Sequence, residues 1–232
     1  MSSLFSSPTL ERHCNTMVVR DDLLPGGTKA RIFRALVAAS PASEFVYAGP
    51  AFGAAQIALA AVCYQQCRQA VLFVPWRAAR TRYTIEAARY GARIFEVKPG
   101  YLSVLRSRAR RYCDEHEAEL VPFGGGMQIG PIVSAAQSLS VEPSEVWCAA
   151  GSGTLAQALR AAWPAAQLNL VQVGRSLPPI AGATVHKTNQ AFADGIAGTA
   201  PFPTHPNYEA KAWRLMQKIG ASPGSLFWNV HG

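Results

Sequence analysis

Apolar residues along this chain follow two rhythms that take turns. Short runs too apolar to alternate between two faces, such as AVLFV at 70–74, read as buried strands. Longer Ala-rich stretches, with apolar positions three and four apart, read as helices. Strands are predicted at 44–48, 70–74, 92–97, 146–149 and 168–173, and helices at 54–67, 78–90, 102–116, 155–163 and 208–219. The last helix closes on Gly220, a residue suited to the left-handed turn after a helix. This alternation predicts an α/β protein with parallel-rich sheets covered on both faces by helices. Residues 41–119 hold enough of these elements for a smaller domain, and 1–40 with 120–232 would form a larger one. No repeat or low-complexity tract interrupts the pattern.

With 232 residues, 49% hydrophobic and 16% charged, the composition is that of a globular chain rather than a disordered one. No apolar run is long enough to cross a bilayer; the most apolar one, at 57–63, is broken by Tyr64-Gln65-Gln66. The first ten residues are Ser-rich and lack the basic start and apolar core of a signal peptide. A cytoplasmic protein without membrane contact is expected. The five cysteines, at 14, 63, 67, 113 and 148, form no CxxC pair and read as reduced thiols. The five histidines show no metal-ligand spacing, so no metal is expected.

Charge alters the picture more. The net charge is +8, and 17 of the 22 basic residues are Arg, clustered at 77, 80, 82 and at 106, 108, 110, 111. Guanidinium groups suit bidentate phosphate contact, so a polyanionic partner stands beside the plainer reading of solvated helix faces.

Two motifs carry candidate chemistry. Gly151-Ser152-Gly153-Thr154 follows a predicted strand and opens a predicted helix. Glycines let backbone amides approach an anion, the helix N-terminus attracts it, and the two hydroxyls add donors. A plain turn with a Ser or Thr cap would look the same. Lys29 follows Gly26-Gly27-Thr28 and is one of only five lysines. Its helical neighbours Ile32, Phe33, Leu36 and Val37 are apolar, and an apolar surround disfavours the charged ammonium, as a Schiff-base lysine requires.

Together these stretches resemble fold-type II, tryptophan synthase β-like enzymes that use pyridoxal 5′-phosphate (PLP), specifically the aminocyclopropane-carboxylate (ACC) deaminase and D-cysteine desulfhydrase branch. RDDLLPGGTKAR resembles the family's segment around its Schiff-base lysine, and VLFVPWRAARTRYTIEAARYGARIFEV its small-domain strand, helix and strand. VPFGGGMQIG is similar to a glycine loop, and AAGSGTLAQAL to the loop that holds the cofactor phosphate. The resemblance implies that Lys29 carries PLP and that Gly151, Ser152, Gly153 and Thr154 bind its phosphate. It implies that Asn229, near the C-terminus, faces the pyridine nitrogen as a neutral partner that leaves the ring unprotonated. Gln56 with Gly124, Gly125 and Gly126 would contact substrate, and the protein would form a homodimer.

The departures point to substrate. Where the family carries Ser-Asn-His or Ser-Gly-Asn, this chain reads YAGPAFGAAQ at 47–56, retaining only Gln56 from the carboxylate-binding part. A weakened anchor for free amino acids, with an Arg-rich surface, is similar to short phage-encoded members linked to thymidine hypermodification. The resemblance then implies a PLP-dependent lyase acting at the α-carbon, with decarboxylation of an amino-acid-modified thymidine in DNA as the specific expectation. Two alternatives stay open: a small-molecule lyase or deaminase, and a non-catalytic relative.

Overall fold

The computed structural model describes residues 7–126, 128–174, 176–196, 198 and 200–232. The elements begin β1 (Leu10–His13), β2 (Thr16–Arg20), α1 (Lys29–Ala39), β3 (Glu44–Ala48), α2 (Ala55–Gln65) and β4 (Gln69–Pro75). They continue α3 (Arg82–Arg89), β5 (Arg93–Val97), α4 (Leu102–His116), β6 (Glu119–Leu120), α5 (Gly130–Gln137) and β7 (Glu145–Ala150). The chain ends with α6 (Thr154–Ala162), β8 (Gln167–Gln172), β9 (Ala183–Lys187), α7 (Glu209–Ile219) and β10 (Leu226–Asn229). Among the described residues no helix is long and apolar enough to cross a membrane.

Two compact units result. The first takes the chain up to Leu24 and from Ile129 onward. Its six strands lie in the order β1-β2-β10-β7-β8-β9, with every pairing parallel except β1 with β2. All of β7 is buried, as a central strand covered on both faces must be. On one face Trp147 and Phe227 pack with Trp213 and Met216 of α7. Trp228 has its ring 6.4 Å from Trp163, which ends α6. The RDD of the sequence motif is structural here: Arg20 donates to both oxygens of Asp22 at 2.8 Å, and the buried Asp21 accepts from Trp228 Nε1 at 3.2 Å.

The second unit, Pro25–Gln128, has four parallel strands in the order β5-β4-β3-β6. Helix α2 is buried along Ala55–Cys63 because strands pack on one side of it and α1 and α3 on others, which is why its sequence is apolar all round. Helix α4 turns Leu105, Ala109 and Tyr112 onto Val46, Val71 and Phe73, leaving Arg108, Arg110 and Arg111 exposed.

Two boundaries differ from the sequence reading. Helix α3 starts at Arg82 rather than 78, because Thr81 caps it by accepting from the Thr84 N–H; 76–81 is a loop. The units divide after 24 and 128 rather than 40 and 119, because α1 packs on α2 and the turn Phe123–Gly125 packs on α1.

Candidate functional site

The candidate residues fall on both units, and each unit is described by itself. In the first, β7 runs into Gly151-Ser152-Gly153, and α6 begins at Thr154. Gly153 has φ +86°, the left-handed region, and a Cβ there would press on Pro178 at 3.2 Å. A Cβ at Gly151 would meet the Tyr208 ring at 3.3 Å. The N-cap of α6 is Gly153, which has no side chain to cap the helix. Ser152 Oγ and Thr154 Oγ1 lie 3.2 Å apart on that loop. The result is an amide-rich, glycine-led helix start, suited to a phosphate.

Asn229 ends β10. The register pairs Trp228 with Cys148, which puts Asn229 level with Ala149, two residues before Gly151 at the same carboxyl edge of the sheet. The side chain is fully buried. Its Nδ2 donates to the Pro203 carbonyl at 2.9 Å, while Oδ1 has no partner among the described residues. A carbonyl can only accept, so this bond fixes which way the amide points. The atom left over is an acceptor, and a buried acceptor without a donor costs about 1–3 kcal/mol. A ligand N–H would remove that cost. An acceptor at this position is the complement of a ligand N–H donor.

In the second unit Gly26 and Gly27 both have φ +73°. A Cβ at Gly26 would lie 2.3 Å from the Ala58 backbone nitrogen, so the turn is pressed against α2 and only glycine fits. Lys29 follows as the first residue of α1, half-buried, at the helix end where the backbone dipole disfavours a cation.

Gln56 is 1% exposed and engaged at both ends of its amide. Nε2 donates to the carbonyls of Pro50 at 2.9 Å and Ala51 at 3.1 Å, and Oε1 accepts from Thr84 Oγ1 at 2.9 Å. No N–H is left for a carboxylate. The expected carboxylate ligand is therefore a residue that holds the β3–α2 loop in shape.

Gly124 and Gly125 lie in the turn Phe123–Gly125, and Gly126 follows with φ +65°. A Cβ at Gly125 would sit 2.9 Å from Ile32 Cγ2 of α1, so this glycine serves close packing. Met127 of the same loop lies outside the described residues. Beside the turn is a cavity of about 310 Å³ lined by Ala48, Arg106, Arg110 and the segment 120–123. The Phe123 ring stacks on Tyr47 (6.3 Å, 9°), and burial raises the Tyr47 phenol above its ordinary pKa.

The cysteines are all free thiols. Burial pushes the Cys63 and Cys148 thiols up to about 12, which makes them inert core residues. Among the described residues no three His, Cys, Asp or Glu side chains gather as a metal site would need. Sequence reasoning missed the cavity, because Arg106 and Arg110 share α4 but Ala48 and Phe123 come from other elements, and no local spacing joins the three segments.

No protein-family model matches the chain, and no curated protein does. Solved structures do match. The chain superposes on an ACC deaminase homologue with a TM-score of 0.80 at 14% identity, over 97% of this chain and 89% of that one. Maize serine racemase gives a TM-score of 0.72 at 12% identity, over 97% and 87% of the two chains. A threonine deaminase from T.th. gives 0.69 at 14% identity, over 98% and 92%. Identities this low establish the backbone and nothing finer. The chain has the tryptophan synthase β-like, type II α/β fold, with parallel-rich sheets covered by helices.

Proposed function

We propose that this protein is a PLP-dependent lyase acting at the α-carbon of an amine-bearing substrate. The observation that carries the reading is the pairing, at one sheet edge, of an uncapped glycine-led helix start with a buried Asn229 oxygen that lacks a donor. Those features fit the phosphate and the ring N–H of PLP. When bound, PLP supplies an electron sink that stabilises negative charge on the substrate α-carbon.

The chain's own residues then take distinct tasks. Ser152, Thr154 and the first amides of α6 hold the phosphate dianion. Asn229 Oδ1 holds the proton on the ring nitrogen. Lys29 Nζ would hold the cofactor covalently and would move a proton at the substrate α-carbon.

The substrate we propose is an amino acid carried on a thymidine of DNA. Its reaction is decarboxylation: the bond from Cα to the carboxylate breaks, CO2 leaves, and Lys29 delivers a proton to Cα. The charge distribution supports an anionic substrate, since Pro25–Gln128 holds fourteen Lys and Arg against seven Asp and Glu, +7 of the chain's +8. The occupied Gln56 amide supports it as well, because the usual side-chain anchor for a small amino acid is missing. Similarity to deaminase structures favours a second reading, turnover of a free amino acid.

The test titrates pure protein with PLP. A visible band removed by borohydride, and absent in Lys29→Ala with the fold intact, is expected. Ser152→Ala and Thr154→Ala should each weaken PLP binding by about 1 kcal/mol or more. A Lys29→Ala variant that keeps the band overturns the assignment. Mass spectrometry of an oligonucleotide whose thymidine carries an amino acid with its α-amine and α-carboxylate both free should show loss of CO2; turnover of free D-cysteine or ACC alone promotes the second reading.

A further inference from the structure

The carboxyl edge of the four-stranded sheet carries a pattern that the proposed lyase chemistry does not use. One large exposed aromatic follows each strand: Tyr101 after β5, Trp76 after β4, Phe52 after β3 and Phe123 after β6, all 47–71% exposed. A single exposed aromatic is ordinary, but four at one edge, one per strand, make a row. Neighbouring strands lie about 4.8 Å apart, so the row spans about 14 Å.

Three of these rings have a cation over the face. Lys98 Nζ lies 3.0 Å from the Trp76 ring centre, Arg77 lies 4.9 Å from Phe52 and Arg106 lies 5.2 Å from Phe123. The segments that follow the strands, 49–54, 76–81, 98–101 and 121–126, contain Arg77, Arg80 and Lys98 and no Asp or Glu. Arg80 is tied to Glu96 at 3.0 Å. Arg106 and Arg110, in contrast, make no ion pair among the described residues, and both line the cavity beside Phe123. Apart from Glu96, the acidic groups lie mostly elsewhere: Glu44 and Glu119 begin β3 and β6, and Asp114, Glu115 and Glu117 lie at the end of α4.

We propose that this edge is a platform for single-stranded nucleic acid, with bases stacked on the aromatic row and phosphates met by Lys98, Arg77, Arg106 and Arg110. Alternating rings and cations suit a chain that alternates bases and phosphates, and stacking on rings needs bases already out of a duplex. A second copy is the poorer occupant, since two faces of one strongly basic unit repel. The proposal rests on the reading of a nucleic-acid substrate and names the surface that would hold it: a target thymidine would arrive on a strand already unstacked.

The experiment uses PLP-loaded, full-length protein and a labelled short oligothymidylate, followed by fluorescence anisotropy across salt concentrations. Binding is expected to favour the single strand over a duplex of equal length. Affinity should fall with salt at a slope of about −0.7 per phosphate contacted. Trp76→Ala and Phe123→Ala should each weaken binding about 5-fold or more with the salt slope unchanged, since stacking is nonionic. Arg106→Gln with Arg110→Gln should flatten the slope.

Absence of binding at low salt overturns the platform. So does equal affinity for duplex, or indifference to both aromatic variants. The PLP band, read on the same samples, keeps the two readings apart. A retained band without oligonucleotide binding leaves the lyase and removes the platform; binding without a band does the reverse. Melting curves of each variant confirm that folded protein is compared.

Discussion

Gln56→Ala separates two roles that one residue cannot hold together. If Gln56 binds a substrate carboxylate, the variant should fold as well as the parent and lose affinity for substrate. If it holds the β3–α2 loop, stability should fall. The structure gives the magnitude. Three hydrogen bonds disappear: those to the Pro50 and Ala51 carbonyls, and the one received from Thr84. The groups left behind are not all stranded. Ala51 keeps its bond from Thr81 Oγ1 at 2.7 Å, and Thr84 can turn its hydroxyl to Thr81, 3.2 Å away. The loss is then close to the net value of three ordinary bonds, about 3 kcal/mol, rather than the larger cost of orphaned buried groups. For a chain of this size that corresponds to a melting temperature lower by roughly 6–12 °C. Gln56→Glu, though isosteric, should do at least as badly, because it turns acceptor oxygens toward two carbonyls. Scanning calorimetry or fluorescence melting measures both variants. Unchanged melting together with a raised KM for either variant would refute the loop-holding role and restore Gln56 to the substrate.

Gly26→Ala and Gly91→Ala form a matched pair, since both glycines have positive φ, yet a Cβ meets the Ala58 backbone at 2.3 Å in the first and nothing within 4 Å in the second. Gly91→Ala should cost about 1–2 kcal/mol from backbone strain alone, and Gly26→Ala more than about 3 kcal/mol, by urea denaturation; equal costs would mean the close approach is not real. A pH dependence is expected from His186, whose pKa is lowered from 6.5 chiefly by burial, although Glu145 nearby raises it. Below pH 6.5 the unfolded chain takes up this proton more readily than the folded one. Melting temperature should therefore decline as pH falls below that value, and His186→Gln should flatten the decline.

How much of this was legible beforehand depended on whether the deciding contact was local. The strands at 44–48 and 70–74 announced themselves because a strand covered on both faces is largely apolar, whereas β5 was legible from Ile94, Phe95 and Val97 although it lies at a sheet edge and carries Arg93 and Glu96. Strands β1, β6 and β9 did not, since each lies at a sheet edge and is short or polar; the interior β2 and β10 were not foreseen either, being four or five residues long and fixed by pairing with distant segments. The helix expected from 78 begins four residues later because a threonine cap outweighs the helix propensity of Ala78 and Ala79. The GSGT loop could be read because its strand end, glycines and helix start are sequence neighbours.

The harder residues are decided at long range. Asn229 was reached through resemblance alone. Its chemistry depends on the Pro203 carbonyl, which takes one end of the amide and leaves an oxygen facing inward. Nothing in FWNVHG could foretell that the remaining atom would be an acceptor, yet this decides which protonation state of a ring nitrogen it can favour. Gln56 shows the opposite outcome: the residue was found where a ligand contact was expected, but the carbonyls of its own loop take both of its N–H groups. In both cases residue type restricts the possible roles, and the partner that folding supplies selects among them. The aromatic row extends the same logic. Phe52, Trp76, Tyr101 and Phe123 are spread over more than seventy positions and look like core residues one at a time. Parallel strand order brings them to one edge, because every strand of that sheet ends on the same side. A parallel sheet thus turns four ordinary loop residues into one surface, and only their exposure, absent from any sequence pattern, sets that surface apart from a core.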